Sequence, residues 1–518
     1  MEWLQFWKLY QQEILLQSGH HFMLSLWALS LAVVAGVALG ILLAKVQGLA
    51  TPVLLVLGMI QTLPSLALLG FLLPFLGLGI VPALVALFLY ALLPIVRNTY
   101  TGIVGIAPPI IEAALAMGMP PAKRLWQVEL PLAAPVIFGG IRTAAVINVG
   151  VATLCALIAA GGLGEFIFRG IALNNAAMIW SGAVPAALMA LAFDLVLGVL
   201  EKFARTIFKA FLLSLCGVAI GFTLWKLTPS LAAKTPKIGM DAEFKSRADG
   251  WQALKKHYSL GEFQAVELDA GLMYQALAQD QVELIGGYST DGRIAAYNLQ
   301  VLEDDKHFFP PYEACPLVSR KTLAKFPDLN SVFERIAGKI PDSVMQRLNY
   351  EVDKLQHNPR EVAQRFLAGL QLNTQIVREG KPDLVIGGKK FTEQYILAEI
   401  FKCLIENYTP YTVGLKGGLG GTQIAFEALL HGEIDLYPEY IGTGLLVLLN
   451  TPPEVYQPIL HQRQQVSRLV ADQCLQRFDL VWLPALGFSN SYAVMMKKDR
   501  AKALKISKIS DLIKYPKN

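Results

Sequence analysis

Charge is what this chain most visibly lacks. Of its 518 residues only 16% are Asp, Glu, Lys or Arg, against 54% hydrophobic, which is too apolar for an ordinary soluble protein of this length. The shortage is local. Residues 49–96 contain no charged side chain, whereas charges are frequent from Lys234 onward. A chain so divided has a membrane half and a water-soluble half. No clustered basic run accompanies the formal net charge of +5, so the electrostatic footprint of a nucleic-acid-binding protein is missing. The five cysteines fit no disulfide framework; Cys155 and Cys216 fall in apolar segments, Cys315, Cys403 and Cys474 are scattered, and free buried thiols are expected. Histidines lack metal-ligand spacing, and neither a nucleophile–base set nor a catalytic Cys–His set is found, which argues against an enzyme. A cleavable leader is not evident, because the first apolar run begins near Phe22, is as long as a full span and lacks an Ala-x-Ala exit. A phosphate-binding loop is missing as well. Gly387-Gly388-Lys389-Lys390 has no hydroxyl residue after its lysine, and 417–422 has no lysine where one is required.

A span needs roughly 20 apolar residues, and six segments qualify: 22–44, two within 49–96 separated near 74–79, then 143–164, 176–200 and 210–225. The last is short, but Lys209 and Lys226 can snorkel at its ends. Lys45, Arg97, Lys123, Arg124, Lys202 and Arg205 fall in alternate connections. The positive-inside rule then puts the N-terminus outside and returns the chain to the outside near Leu227, so the soluble half is expected outside. Asp194 lies inside the 176–200 span, where it either lines a pathway or is paired locally, and Arg142, at the edge of the 143–164 span, carries the same ambiguity.

Between the third and fourth spans stands Glu112-Ala113-Ala114-Leu115-Ala116-Met117-Gly118, followed by Leu130-Pro131. Glu112, Ala113 and Ala114 favour helix, Gly118 permits a tight turn and Pro131 suits a first helical turn. The segment resembles the EAA motif of ABC-importer permeases, a family in which it forms a short cytoplasmic helix pair that docks on the ATPase. The resemblance implies a separate cytoplasmic ABC ATPase subunit (a dimer), a permease homodimer, and Glu112, Ala113, Ala114 and Gly118 as docking residues. It also implies a multi-pass protein of the bacterial inner (cytoplasmic) membrane.

After a linker near 229–235, apolar strands alternate with helices: strands at 237–240, 264–268 and 282–285, then a second series from 384–386 through helix 392–405, strand 412–415, helix 423–430 and strand 434–436. This is an α/β pattern. Gly387-Gly388-Lys389-Lys390-Phe391-Thr392-Glu393-Gln394, Tyr437-Pro438-Glu439-Tyr440-Ile441-Gly442-Thr443 and Asn490-Ser491-Tyr492-Ala493 resemble the front half of substrate-binding proteins of the glycine betaine/choline (osmoprotectant) family. Met273-Tyr274-Gln275-Ala276-Leu277, Tyr288-Ser289-Thr290-Asp291-Gly292-Arg293-Ile294 and Phe309-Pro310-Pro311-Tyr312-Glu313-Ala314 resemble the back half, which here comes first. The expected fold is an all-α membrane domain of about six transmembrane helices (1–228, type I ABC-importer permease). A two-lobed, type II-like α/β periplasmic-binding-protein domain follows (236–518), circularly permuted, with the usual C-terminal half at 236–372 and the usual N-terminal half at 383–518. Two incomplete receptors, or halves swapped between neighbouring chains, are the alternatives.

Quaternary ammonium groups donate no conventional hydrogen bond and are held by aromatic faces, at about 0.5–2 kcal/mol per ring. The family resemblance implies Tyr440, Tyr492, Tyr274 and Tyr288 as cage walls, with Tyr297 and Tyr312 as secondary candidates. Thr443, Lys389 and Arg247 would be polar partners for a ligand carboxylate or hydroxyl, and Asn490 would stand at the rim. Asp291 either supplies a negative charge or caps the helix beginning at Gly292. Tyr437 reads as structural, held near a turn by Pro438. The function implied is that of permease plus substrate-binding subunit of an ATP-driven importer for a quaternary ammonium compound such as glycine betaine, choline or carnitine. An importer for another trimethylated or cationic solute such as ergothioneine, or a ligand sensor, is the alternative; no cofactor is called for.

Overall fold

The charge-free stretch does not form two straight spans. In the computed structural model, which describes residues 2–173, 175–227, 235–247, 249–376 and 378–516, it breaks once more than expected. Pro64 forces Leu63 into an extended conformation (ψ 134°), since proline disfavours helix in the residue before it. The result is α2 (Ala50–Thr62) and α3 (Ser65–Leu76), bent by 97° to each other. The Leu63 carbonyl freed at the bend accepts a hydrogen bond from the Tyr90 hydroxyl. The remaining helices of the apolar half are α1 (Glu2–Lys45), α4 (Ile80–Val104), α5 (Pro108–Ala116), α6 (Pro121–Arg124), α7 (Leu130–Leu154), α8 (Gly164–Ala172), α9 (Ala176–Lys202) and α10 (Ala204–Leu227). Among the described residues, five helices are long and apolar enough to cross a membrane, or six crossings if the bent pair is one.

Helix directions decide what the bent pair does. Gly36 of α1 abuts Ile95 of α4, and four residues on, Gly40 abuts Thr99. The contacts advance together, so α1 and α4 run parallel, with the glycines allowing close approach. The chain between two parallel neighbours must return to the side it left; α2 and α3 together therefore make one crossing. Gly102 abuts Ala133 and Gly140 abuts Pro94, so α4 and α7 are antiparallel. Phe138 of α7 packs on Phe208 and Phe211 near the start of α10. These contacts gather Lys45, Arg97, Arg124, Lys202 and Arg205 toward one end of the bundle.

The fourth segment, expected at 143–164, begins earlier. A π-helical stretch, Leu125–Glu129, joins α6 to α7, and Pro121–Ile158 is one apolar rod. Arg142 sits inside it because its guanidinium is neutralised: it forms a two-pronged ion pair with Asp194 of α9 (Nη2 to Oδ2 2.6 Å) and lies 3.7 Å from Glu201. Asp194 and Arg142 are thus partners of each other, the local pairing rather than a solitary pathway charge.

The chain divides into two compact units, Met1–Gly170 with Ala176–Ala233, and Ile171–Asn175 with Lys234–Asn518. Apart from Thr235, the expected linker 229–235 lies outside the described residues, as does Asn518. The soluble unit contains two five-stranded sheets. The first lobe is built on β1 (Lys237–Met240), β2 (Gln264–Glu267), β3 (Leu284–Tyr288) and β4 (Leu299–Val301). The second is built on β6 (Leu384–Gly387), β7 (Val413–Lys416), β8 (Leu436–Tyr440) and β9 (Leu480–Trp482). Each lobe is finished by a strand from the other half of the sequence. β10 (Tyr492–Lys497) enters the first sheet, order β2-β1-β3-β10-β4, and β5 (Ala314–Ser319) enters the second, order β7-β6-β8-β5-β9. Both inserted strands are antiparallel to their neighbours, beside parallel runs β2-β1-β3 and β7-β6-β8. The two segments that cross between lobes touch at the Glu313–Ser489 bridge. The 3₁₀ helix Ile509–Lys514 belongs to the first lobe, where Lys508 bridges Glu303 and Tyr515 packs on Phe263 at 5.7 Å. One chain thus closes both sheets, and the picture of two incomplete receptors does not hold. Tyr437-Pro438 lies within β8, not near a turn: Pro438 faces Pro316 of β5, and β8 meets β6 only at Leu436, so no ladder bond is lost at the proline.

Candidate functional site

In the antiparallel pair β3–β10, Tyr288 and Tyr492 are register partners. Directly opposed side chains on one sheet face are neighbours, and here the ring centroids are 5.2 Å apart. From the second lobe come Phe391, in the extended residue that precedes helix Thr392–Tyr408, and Tyr440, the last residue of β8. Phe391 stacks on Tyr288 (5.7 Å, 5° between planes) and on Tyr440 (6.4 Å, 26°). Behind Tyr492 lie Phe244, stacked at 4.6 Å, and Tyr312, edge-on at 6.1 Å. A continuous file of rings, Tyr440–Phe391–Tyr288–Tyr492, therefore runs from one lobe to the other. A methyl group between two parallel faces needs about 7–8 Å, twice the optimal carbon–carbon contact. The 5.7 Å spacing is narrower, so a ligand seated there must part Tyr288 from Phe391.

The polar surround is mostly acidic. Glu393 is buried and accepts from the hydroxyls of Thr290 and Tyr440 (both 2.5 Å) and from the amides of Asn490 (3.0 Å) and Asn349 (3.2 Å). Burial raises its carboxyl above the ordinary range, and the donated hydrogen bonds pull the other way. Asp241 caps helix Ala242–Ser246 through the Phe244 amide (2.7 Å) and accepts from the Tyr288 hydroxyl. Burial, then the neighbouring Glu243 charge, pushes its carboxyl up to about 6. Glu243 reaches the second lobe, accepting from the Thr422 amide (2.8 Å) and hydroxyl (3.3 Å).

Of the residues expected at the site, the structure brings together Tyr440, Tyr288, Tyr492 and Asn490, with Tyr312 beside them. Asn490 donates to Glu393, and its Oδ1 is buried without a protein partner among the described residues. Tyr274 stands outside this file of rings. It is fully buried behind β3, where its hydroxyl accepts from the Tyr288 amide (3.0 Å) and Arg293 covers its ring at 4.3 Å; Gly287 leaves room for it there. Tyr297 is surface-exposed. Lys389 and Arg247 stand near the rings, at 5.3 Å from Tyr440 and from Tyr492, but neither is a free cation. Lys389 is buried against Glu439 (Nζ to Oε1 2.5 Å) and Thr422 (3.1 Å). Arg247 makes two hydrogen bonds to Asp249 (2.8 and 3.2 Å) and one to Tyr312 (2.7 Å). Burial would lower that guanidinium's pKa; the Asp249 carboxylate outweighs it, and the group stays charged. Thr443 is buried in the short helix Ile441–Thr443, one residue triplet beyond Tyr440. Asp291 pairs with Arg293 (2.6 Å) and accepts its amide (2.9 Å), so its charge is already committed beside the start of helix Arg293–Ala296.

Sequence reasoning missed Phe391, Phe244, Asp241 and Glu243. Phe391 stands inside the Gly387–Gln394 signature, whose aromatic ring is the signal that could have found it. The other three lie within four residues of the end of β1, where an acidic N-cap signal was readable.

In the apolar half, α5 ends in a Schellman turn. Gly118 (φ +72°) donates to Leu115 (2.9 Å) and Met119 to Ala114 (3.1 Å). Ala114 is buried and anchors the helix, whereas Glu112, Ala113 and Gly118 are exposed, along with Ile110, Leu115, Met117 and Trp126.

Residues 36–206 match the family of binding-protein-dependent transport system inner membrane components. Residues 228–369 and 382–518 match the substrate binding domain of ABC-type glycine betaine transport systems. The choline transport system permease protein OpuBB of Bacillus subtilis (strain 168) is 46% identical over 190 residues, 37% of this chain and 88% of the relative. The glycine betaine/carnitine/choline transport system permease protein OpuCB of the same organism is 44% identical over 190 residues, again 37% and 88%. The carnitine transport binding protein OpuCC of Listeria monocytogenes is 43% identical over 130 residues, 25% of this chain and 42% of the relative.

Proposed function

The chain belongs to two transport families at once, the inner-membrane components of binding-protein-dependent transport and the glycine betaine-type substrate-binding domains, and from that premise we propose that it is permease and receptor, in one polypeptide, of an ATP-driven importer for a quaternary ammonium compound. Both are transport families rather than enzyme families, and the first carries with it an ABC-type ATPase partner and a multi-pass place in a membrane. The observation that carries the ligand reading is the ring file Tyr440–Phe391–Tyr288–Tyr492, drawn from both lobes and bordered by carboxylates. Aromatic faces are what a permethylated nitrogen can be held by, and surrounding negative charge favours a cation.

The finer arrangement is part of the same proposal. The basic end of the bundle faces the cytoplasm, and the exposed face of α5 seats the ATPase through Glu112, Ala113 and Gly118. Two permease copies pair, and the receptor domain faces outward, where solute is captured. The receptor is a permuted form of the family's usual order, an interpretation supported by the mutual exchange of β5 and β10, which makes the two halves complementary whichever comes first. Opening of the lobes about the two crossing segments parts Tyr288 from Phe391 and admits the ligand.

The test is equilibrium binding to the purified full chain in nanodiscs, with choline, glycine betaine, carnitine, ergothioneine and 3,3-dimethylbutanol, the neutral tert-butyl counterpart of choline. At least one quaternary amine should bind, and choline, if it binds, more tightly than its neutral counterpart. Equal affinity for the neutral compound would show the pocket to be merely apolar and would end the quaternary-amine reading.

A further inference from the structure

The cleft contains more negative charge than its cations neutralise. Arg247 is committed to Asp249 and Lys389 to Glu439. Farther out, Arg293 is committed to Asp291 and Lys245 to Glu267. Asp241, Glu243 and Glu393 remain, each bonded only to neutral donors in the contacts described above. A zwitterion brings a carboxylate as well as an ammonium, and that carboxylate needs a donor or cation not already taken.

One seat in the cleft is suited to a carboxylate, and it is already filled. Helix Thr422–Leu430 begins at the cleft; its first amide and the Thr422 hydroxyl, which also accepts from Lys389 Nζ, point at one place. Backbone donors at a helix start, with a lysine beside them, bind anions. The group found there is the Glu243 carboxylate, reaching across from the first lobe. Phe244, the next residue, stacks on Tyr492, and Asp241, two residues before, holds the Tyr288 hydroxyl. The same five-residue helix thus supports two rings of the file and fills the anion seat beside them.

We propose that Glu243 sets the charge type of the ligand. Its carboxylate stands where a ligand carboxylate would be received, so the site takes cationic quaternary amines that carry no carboxylate and disfavours zwitterionic ones. This rests on the quaternary-amine reading above. A zwitterion must either expel Glu243 from the Thr422 amide or leave its own carboxylate facing Asp241 and Glu393; a cation leaves the seat undisturbed and gains from all three charges.

The test uses the full chain in nanodiscs and measures the ratio of dissociation constants for glycine betaine and choline, with tetramethylammonium as a third probe. In the native protein choline should bind about tenfold or more tightly than glycine betaine. Glu243→Gln should shrink that ratio at least about fivefold, with betaine gaining and choline losing affinity, and Glu243→Asp should restore most of it. A native protein that prefers betaine, or a ratio that Glu243→Gln leaves unchanged, overturns the inference while leaving the quaternary-amine reading intact. Failure of choline, betaine and tetramethylammonium all to bind overturns both. The native ratio requires no variant, so a misfolded Glu243→Gln protein does not shelter the inference.

Discussion

Gly118 offers a perturbation in which backbone and surface effects separate. It ends α5 in the left-handed region, and a Cβ built there meets no atom within 4 Å. Any L-residue therefore incurs the backbone penalty, about 1–2 kcal/mol, but no crowding within the chain. Alanine and tryptophan incur nearly the same penalty, because it arises at Cβ. Gly118→Ala and Gly118→Trp should thus melt within a degree or so of each other, both roughly 2–4 °C below the native protein. If α5 seats the ATPase, they part in function: the indole projects into the dock and the methyl hardly does. With the ATPase subunit reconstituted in liposomes, Gly118→Ala should keep most ligand-driven ATP hydrolysis and uptake, and Gly118→Trp should lose both. Ligand binding to either variant without the ATPase should equal that of the native chain. Equal transport by the two variants, or loss of ligand binding in Gly118→Trp, would refute the docking assignment.

A cysteine introduced at Lys256 should react with a membrane-impermeant maleimide in intact cells with a permeabilised outer layer, and one at Lys123 should not; the reverse pattern would place the receptor on the wrong side for capture. Removing a ring from the file, as in Tyr288→Ala, Tyr440→Ala or Tyr492→Ala, should weaken ligand binding by about 1–2 kcal/mol, 5–30-fold, whereas Tyr274→Phe should leave affinity within about twofold, since it keeps the buried ring behind β3. Choline affinity should fall as pH drops through about 6, where Asp241 takes up a proton. The bound cation favours the ionised carboxyl that Glu243 and burial oppose and that Arg247 and the Phe244 amide assist, so binding releases protons; a flat titration between about pH 7.5 and 5 would remove Asp241 from the site. Asp194→Asn should lower the melting temperature of the membrane unit more than Glu201→Gln, because Asp194 makes the two-pronged contact with Arg142 and Glu201 only a 3.7 Å approach.

Much of this architecture can be read before folding, and the parts that cannot share a cause. Apolar length announces the spans, and the Gly387–Gln394 and Tyr437–Thr443 signatures announce the receptor. The 97° bend was hidden because Pro64 interrupts a run whose composition does not change across it. The fourth span, expected from 143, begins earlier and takes in Arg142, whose partner Asp194 is 52 positions away; no local pattern links them. Tyr274 seemed equal to Tyr288 because sequence shows ring type but not which side of a sheet a ring lies on. Lys389 looked free for a ligand because Glu439, 50 positions on, claims it only once β8 is folded, whereas the pairing of Arg247 with Asp249, two positions on, was within local reach. Periodicity and motif are local, whereas charge compensation is three-dimensional.

The order in which strands are made has its own consequence. β10 lies between β3 and β4, so the first lobe waits for the last of the ten described strands to leave the ribosome. Until then β3 and β4 present open edges, which invite wrong pairing. A chain interrupted between the membrane helices and β10 would hold an inserted permease and an unfinished lobe with no ring file, since Tyr492 arrives on that same strand. Translation through β10 is in this way built into the ability to bind: a permease of this design cannot display a working receptor until that strand has been made.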